Sequence, residues 1–278
     1  MASCPDCKKG KVLPGKPTGR MVNDAYFAPG PEGNSSRAII LLTDIFGLDL
    51  INSKILADII SQRLQCDVWV PDLFNGSISH SDLPDCYADP LAPPGRPPVA
   101  VDQMKVPDRV GEKVNMVNLL FHLLPSIPAI FRNRPSVAQP RFIQKLQSEK
   151  NYEKLGAVGY CFGGTIAVKM AATTVFRSIV VCHPGSLSEK EIEAIKIPSA
   201  WACAEEDIAF KPRIRRRAEE ILAERKGKDT FVDYEFKDYK GTVHGFAARP
   251  NLEYDEVKAG FEGALEQTIQ WFEKTIPV

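Results

Sequence analysis

Hydrophobic and polar positions follow two different spacings along this chain, and each spacing predicts one kind of element. Short continuous apolar runs, such as Ala38–Leu42 and Leu155–Val158, predict strands that are covered on both faces. Between such runs, as in Asn52–Leu64 and Thr165–Ala172, apolar residues recur three and four positions apart, the spacing of a helix packed on a sheet. Strands that alternate with helices predict an α/β fold, built on a mostly parallel central sheet with helices on both faces.

The same patterns predict the remaining elements and the domain organisation. Further strands are predicted at Met21–Phe27, Asp67–Phe74 (including its exit), Ser178–Cys182 and Thr230–Tyr239, and further helices at Met116–Leu124, Gln139–Gln147, Ser188–Lys196, Arg213–Lys226 and Tyr254–Thr275. We expect an arm of residues 1–20, then a single domain of residues 21–278 with a loop and helical insertion around 75–150. Because long irregular loops are usually functional or disordered, the proline-rich segment 75–107 is a candidate lid.

Composition narrows the possible partners. A chain of 278 residues that is 44% hydrophobic can bury one sizeable core. Its 35 basic and 35 acidic residues cancel, so no long-range field favours nucleic acid or an anionic membrane, and a small-molecule substrate is expected. We find neither an apolar run of about 18 residues nor a signal-peptide pattern, and therefore expect a cytoplasmic protein without membrane association.

Cysteine usage points to a reducing compartment and leaves one metal alternative open. The seven cysteines are an odd number and widely scattered, which fits reduced thiols better than a disulfide framework. Cys4 and Cys7 form a C-x-x-C pair, but a structural zinc site needs four ligands and no second pair follows. We therefore predict no metal and no other cofactor. The alternatives for this pair are a surface turn and half of an intermolecular zinc site.

The candidate nucleophile is Cys161, in the pattern Gly159-x-Cys161-x-Gly163 between a predicted strand and a predicted helix. In α/β-hydrolases the nucleophile lies on such an elbow, where glycines two positions away permit a tight turn. The unsatisfied amides at a helix N-terminus favour a thiolate, which makes the thiol reactive. The structural alternative is a small buried cysteine, since unpaired cysteines are often buried.

An acid and a histidine follow at two later strand ends. Asp207 ends the strand that begins at Trp201, and His244 follows another strand-like run. The order nucleophile, acid, histidine is that of α/β-hydrolases, whose chemistry collects at strand ends. Several neighbours compete for these roles: Glu205 and Glu206 for the acid, and His183, at the end of Ser178–Cys182, for the base. We favour Asp207 and His244, because His183 precedes the acid along the chain.

Taken together, these motifs resemble the dienelactone hydrolase family, a cysteine branch of the α/β-hydrolases. The similarity is carried by Gly159-Tyr-Cys-Phe-Gly-Gly164, Thr43-Asp-Ile-Phe-Gly47, the acidic strand end at Asp207 and His244-Gly-Phe246, and it covers the chain from about Met21. It implies an α/β-hydrolase fold and a hydrolase that cleaves esters or lactones of small molecules. The same motifs leave the substrate open.

The resemblance and the fold also suggest supporting residues. The backbone N–H groups of Ile45 and Phe162 are the expected oxyanion donors. The resemblance implies an acidic residue near the thiol at Asp44, although a shorter Asp could instead only brace its loop. Phe46, on the same loop, is a further candidate for substrate binding or support. Arg249 is expected to bind an anionic substrate group, to brace the loop of His244 or to lie on the surface.

Two questions stay open at this stage. The chain is expected to be a monomer or a homodimer. The main alternative function is a noncatalytic binding protein or thiol redox sensor on the same fold, in which Cys161 is reversibly oxidised instead of acylated.

Overall fold

The computed structural model of this chain describes residues 12–31, 36–74, 135–150 and 152–277, and of residues 135–141 it describes the backbone alone. The strands in these ranges are β1 (Arg20–Val22), β2 (Ala25–Ala28), β3 (Arg37–Leu42), β4 (Asp67–Pro71), β5 (Lys154–Tyr160), β6 (Ser178–Cys182), β7 (Ser199–Glu206) and β8 (Tyr234–Val243). They form one sheet in the order β1-β2-β4-β3-β5-β6-β7-β8. Strands β3 to β8 are parallel, while β2 is antiparallel to both β1 and β4.

Helices cover both faces of this sheet. Their bounds in the described ranges are α1 (Ile51–Leu64), α2 (Pro135–Lys150), α3 (Phe162–Met170), α4 (Glu189–Glu193), α5 (Pro212–Ala223) and α6 (Asp255–Thr275), with a short 3-10 turn at Gly47–Asp49. Helices α1 and α6 pack on one face, and α2 to α5 pack on the other. This arrangement confirms the predicted α/β class with a mostly parallel sheet.

The central strands show why continuous apolar runs mark this sheet. Every residue of β3 is buried, and alternate side chains point to opposite faces. Ile39 and Leu41 join the core under α1 and α6, whereas Ile40 and Leu42 join the core on the other face. Strands β5 and β6 are similarly buried. A strand with two buried faces keeps few polar residues, so polar groups can collect only where it ends.

The chain between Met21 and Phe27 corrects one prediction. Instead of a single strand it is a hairpin, in which β1 and β2 are joined by Asn23 and Asp24. Both residues have a positive φ, 47° and 61°, as a two-residue hairpin turn of the primed type requires, and Asn and Asp tolerate this conformation. The pattern predicts one strand because the two turn residues do not include glycine, the usual sequence signal of such a turn.

The predicted arm and insertion are described only in part. Leu13 is buried and its amide donates to Asn52 Oδ1 on α1 at 2.8 Å, so the arm lies against the domain from there. Cys4 and Cys7 lie outside the described residues, as do the candidate lid at 75–107 and the predicted helix Met116–Leu124. The predicted helix at Gln139–Gln147 is confirmed within α2.

The parallel strands bring the candidate residues to one edge of the sheet. Asp44 follows β3, Cys161 follows β5, His183 follows β6 and Asp207 follows β7. Strand β8 lies later along the chain than predicted: it begins at Tyr234 and extends to Val243, so His244 lies directly after it. In the described ranges no helix is long and apolar enough to cross a membrane.

Candidate active site

Cys161 occupies a strained position that the flanking glycines make possible. Its φ of 51° and ψ of −112° lie outside the regions open to most residues, a conformation that costs about 1–3 kcal/mol. A Cβ atom on Gly159 would lie 2.3 Å from the Gly163 carbonyl oxygen, and one on Gly163 would lie 2.1 Å from the Leu42 oxygen. Close packing of β3, β5 and α3 therefore requires glycine on both sides of the nucleophile position.

Backbone hydrogen bonds hold this elbow on several sides. The Cys161 amide donates to the Cys182 carbonyl at 3.1 Å, and its own carbonyl accepts from the amides of Thr165 and Gly185 at 3.2 and 3.0 Å. The Gly163 amide donates to the Thr43 carbonyl at 3.0 Å. The elbow is thus fixed to the exits of β3 and β6, with its thiol above the start of α3.

Three predicted residues form a continuous hydrogen-bonded chain. His244 Nε2 lies 3.1 Å from Cys161 Sγ, and His244 Nδ1 lies 2.9 and 3.0 Å from the two Asp207 carboxylate oxygens. The Asp207 side chain is only 2% exposed. Its Oδ1 also accepts from the amides of Ala209 and Phe210 at 2.8 and 2.9 Å. These two amides therefore hold the carboxylate in place while it contacts the imidazole.

The surroundings of His244 favour its charged form. Burial lowers its pKa, but the negative charge and hydrogen bond of Cys161, together with Asp207, outweigh burial and raise the pKa to about 10. At neutral pH His244 is therefore an imidazolium, and its Nε2 lies beside the Cys161 sulfur. Such a pair supplies a nucleophile and a proton donor within one hydrogen bond.

The neighbouring acids have other partners. Glu205 Oε2 accepts from the Gly241 amide at 2.8 Å and so holds the end of β8. Glu206 pairs with Val243 in the last register position of β7 and β8. Of the three acidic residues at this strand end, Asp207 is the one that contacts His244.

His183, the alternative base, has a different environment. It is fully buried, and neither ring nitrogen has a hydrogen-bond partner in the described part of the chain. Burial, followed by the charges of His244 and Arg249, lowers the pKa of His183 well below its ordinary value. The ring is therefore neutral and forms no hydrogen bond to the thiol.

Asp44 and Arg249 form a partly buried ion pair that joins two loops of the site. Arg249 Nε donates to Asp44 Oδ2 at 3.0 Å, and the Phe46 amide donates to Asp44 Oδ1 at 3.0 Å. The guanidinium carbon lies 4.5 Å from the centroid of the Phe46 ring. Burial raises the pKa of Asp44, while Arg249 opposes the shift. Both carboxylate oxygens have partners other than Cys161.

The two expected oxyanion donors lie on the loops that meet at the elbow. Ile45 lies on the loop after β3 and Phe162 is the first residue of α3, directly after Cys161, and the bond from Gly163 to Thr43 joins these two segments. Both residues are partly exposed.

A comparison with known families decides the affiliation. The model of the dienelactone hydrolase family matches residues 24–276. The chain belongs to this family. It is 30% identical to hydrolase tropI of Talaromyces stipitatus, with 98% of this chain and 97% of that protein aligned. Over 90% of this chain and 86% of that protein, it is 26% identical to the human carboxymethylenebutenolidase homolog.

A solved structure supports the fold. A Klebsiella pneumoniae protein assigned to the dienelactone hydrolases superposes with a TM-score of 0.61, at 14% identity, over 88% of this chain and 92% of that one. The superposition confirms the α/β-hydrolase fold, and the family match confirms the resemblance seen in the motifs. The chain is a hydrolase.

The sequence did not predict how the Asp207 carboxylate is held in this family member. The amides of Ala209 and Phe210 hold Asp207, but they were not predicted. The available signal was local: an Asp at the start of a loop commonly accepts from amides two and three residues later. Among the described residues no group of three or more potential metal ligands occurs.

Proposed function

We propose that this hydrolase cleaves ester or lactone bonds of small molecules, with Cys161 as nucleophile, His244 as acid and base, and Asp207 as the residue that orients the histidine. The single observation that carries this proposal is the continuous contact from Asp207 through His244 to Cys161 Sγ. Nucleophile, base and orienting carboxylate in this geometry are the requirements for covalent acyl transfer.

In the first half-reaction the Cys161 thiolate attacks the carbonyl carbon. A sulfur–carbon bond forms, and the carbonyl π electrons move onto oxygen, where the amides of Ile45 and Phe162 would stabilise the negative charge. The oxyanion then collapses and the carbon–oxygen bond to the alcohol breaks. His244 donates its proton from Nε2 to the departing oxygen, so the products are an alcohol, a thioester and a neutral imidazole.

In the second half-reaction water attacks the thioester. Neutral His244 removes a proton from the water as its oxygen bonds to the acyl carbon. Collapse of this adduct expels the thiolate and releases the acid. The imidazolium beside the thiolate is thereby restored, and Asp207 stabilises the positive charge at Nδ1 in the resting state and after deacylation.

Leaving-group chemistry narrows the substrate class. A thiolate is a weaker base than an alkoxide, so a tetrahedral adduct tends to expel the thiolate unless the alcohol side is a good leaving group. Enol lactones and activated esters meet this condition better than peptides do. We therefore infer activated esters or lactones as substrates, with no cofactor required for either half-reaction.

A burst experiment tests the proposal. p-Nitrophenyl acetate should release about one equivalent of nitrophenol per protein before the steady state, and mass spectrometry should find the acetyl group on Cys161. The burst should disappear in Cys161→Ala. The matched control is Cys66→Ala, because burial raises the pKa of the Cys66 thiol to about 12 and keeps it protonated.

The same experiment, with peroxide treatment added, also separates the two candidate functions. A burst that survives Cys161→Ala would refute the assignment of the nucleophile. No turnover of any ester, combined with reversible oxidation of Cys161 by peroxide, would instead favour the redox-sensing alternative.

A further inference from the structure

The exit of β6 is fixed to the nucleophile on both sides of His183. The preceding residue, Cys182, accepts from the Cys161 amide, and Gly185 donates to the Cys161 carbonyl. The His183 amide itself donates to the Ala202 carbonyl at 2.9 Å. The backbone of His183 therefore has a defined position relative to Cys161.

The side chain of His183 contacts the histidine loop. Its ring centroid lies 5.2 Å from that of His244, with an angle of 73° between the planes, and 5.7 Å from that of Phe246. Tyr160, from the nucleophile strand, lies 6.1 Å away. The ring is thus packed between the strand that carries the nucleophile and the loop that carries the base.

This arrangement is costly for stability. His183 has a φ of 35°, a left-handed conformation that costs about 1–3 kcal/mol outside glycine. Its two ring nitrogens are buried without partners in the described residues, which adds an unfavourable desolvation cost. Strain and unsatisfied polar groups of this kind concentrate at functional sites, where surrounding contacts keep them in place.

We propose that His183 is a positioning residue for the base: the edge-to-face packing of its buried ring on His244 restricts the His244 ring to the orientation that contacts both Asp207 and Cys161. This inference rests on the proposed function only for the name of the base. The geometry it explains is the relation between two loops, one fixed to the nucleophile and one carrying the imidazole.

A positioning role of His183 adds to the two hydrogen-bonded contacts that orient the His244 ring. If the His244 ring rotated by half a turn, carbon atoms would replace nitrogen atoms toward Asp207 and Cys161, and both contacts would be lost. The two contacts oppose such a rotation, but the one at Nε2 is lost when His244 gives its Nε2 proton to the leaving group, which leaves only the contact with Asp207. The steric packing of the two rings persists in both charge states of His244, so His183 constrains the ring throughout the reaction.

Three substitutions at position 183 test this role. His183→Phe keeps an aromatic ring and removes the nitrogens, whereas His183→Ala and His183→Asn remove the ring, and Asn tolerates a positive φ. The matched control is Val181→Ala, which removes buried atoms from β6, the strand before His183, on the face that α2 to α5 cover. Thermal unfolding of all four variants identifies any that fail to fold.

The first readout is the rate at which iodoacetamide alkylates Cys161 at neutral pH, which reports the thiolate and needs no ester substrate. We expect the alanine and asparagine variants to be alkylated about 10-fold more slowly, because a misplaced imidazolium no longer stabilises the thiolate. The phenylalanine variant should keep the wild-type rate to within about 3-fold, as should Val181→Ala.

The second readout is steady-state hydrolysis of p-nitrophenyl acetate. The alanine and asparagine variants should lose about 10- to 100-fold in kcat with little change in KM, since geometry at the reacting atoms is affected and substrate contacts are not. Rescue by phenylalanine supports positioning by the ring.

Two results would overturn the proposal: a folded phenylalanine variant as impaired as alanine, which would assign the role to the nitrogens, or an alanine variant equal to wild type in both readouts. Failure of the proposed function is distinct from either result, because the wild-type protein would then hydrolyse no ester while the alkylation rates still tested the positioning role.

Discussion

Two histidines lie side by side at the carboxyl edge of the sheet, and burial lowers the pKa of both, yet their charges differ. The pKa of His244 is raised to about 10, while that of His183 falls well below its ordinary value. The difference lies in their partners. His244 contacts the thiol of Cys161 and the carboxylate of Asp207, whereas neither nitrogen of His183 has a partner in the described part of the chain.

The comparison explains how two imidazoles can share one site. Two imidazoliums at this distance would repel each other in a buried environment, so one ring must stay neutral. The polar partners lie on the side of His244, and the aromatic neighbours Tyr160 and Phe246 lie around His183. The contacts of each histidine, and not its residue type, therefore determine its charge. The substitutions below each change one of these two environments.

The largest effect is expected from removal of the charged histidine. His244→Ala should lower kcat by about 10³- to 10⁴-fold, because it removes both the proton donor of acylation and the base of deacylation. The measurement is kcat for p-nitrophenyl acetate, with thermal unfolding to verify the fold. A larger loss in His183→Ala than in His244→Ala would reverse the two assignments.

Removal of the carboxylate should make His244 more like its neighbour. In Asp207→Asn the ring loses a contact that raises its pKa, and we expect kcat to fall by about 10²- to 10³-fold. The alkaline limb of kcat/KM, expected near pH 10 in the wild type, should move to lower pH in this variant.

The pKa of His244 also affects the stability of the fold, through the linkage between protonation and folding. A histidine whose pKa in the folded protein lies above the ordinary 6.5 stabilises the fold fully below about pH 6.5, and the contribution is lost as the pH rises through about 10. Urea unfolding across this range should show less loss in Asp207→Asn than in the wild type. An unchanged alkaline limb would mean that Asp207 does not set the charge of His244.

The two residues should also act as one unit. The double variant Asp207→Asn, His244→Ala should be little worse than His244→Ala alone, because the carboxylate has no imidazole left to orient. Multiplicative losses would assign Asp207 an independent role.

Thiol reactivity compares the partnered cysteine with the buried ones. Iodoacetamide should alkylate Cys161 at least about 100-fold faster than Cys66, Cys182 or Cys203 at neutral pH, since burial raises the pKa of each of these three thiols. Peptide mapping after a timed quench measures the rates. An inert Cys161 beside labelled strand thiols would identify the elbow cysteine as structural.

Where the pattern is local, the sequence alone proposes the residues of the candidate site. Cys161 was predictable because the glycines that its strained turn needs lie two residues away on each side. Asp207 and His244 were predictable because polar residues directly after apolar strands collect at one edge of a parallel sheet. The fold followed from the same alternation of buried strands and helices.

Contacts between distant segments could not be predicted. The hairpin of β1 and β2 was missed because its turn residues, Asn23 and Asp24, interrupt an apolar run without glycine or proline. The packing of His183 on His244 depends on how β6 and β8 are placed on either side of β7, which no local pattern encodes. The partner of Arg249 lies 205 residues away along the chain.

The smallest effect is expected at Arg249, where the sequence allowed either an anion-binding or a supporting role. Its guanidinium is paired with Asp44 and stacked on Phe46, and a Cβ atom on Gly245, next to His244, would lie 2.7 Å from Arg249 Nη2. Removal should therefore loosen the loops of the oxyanion donors and of the base together. We expect Arg249→Ala to lower kcat/KM by about 10-fold, the loss of one charge-assisted hydrogen bond of about 1.5 kcal/mol.

Two esters with the same leaving group separate the two roles of Arg249. If it supports the loops, p-nitrophenyl acetate and the anionic mono-p-nitrophenyl succinate should lose the same factor, and Arg249→Lys should recover little, because a point charge cannot both stack on Phe46 and donate in a fixed plane. Asp44→Asn weakens the same ion pair from the other side, so it should lower kcat/KM for both esters by the same factor. A loss confined to the succinate ester would instead show that an anionic substrate competes with Asp44 for the guanidinium, and Arg249 would then distinguish substrates by charge.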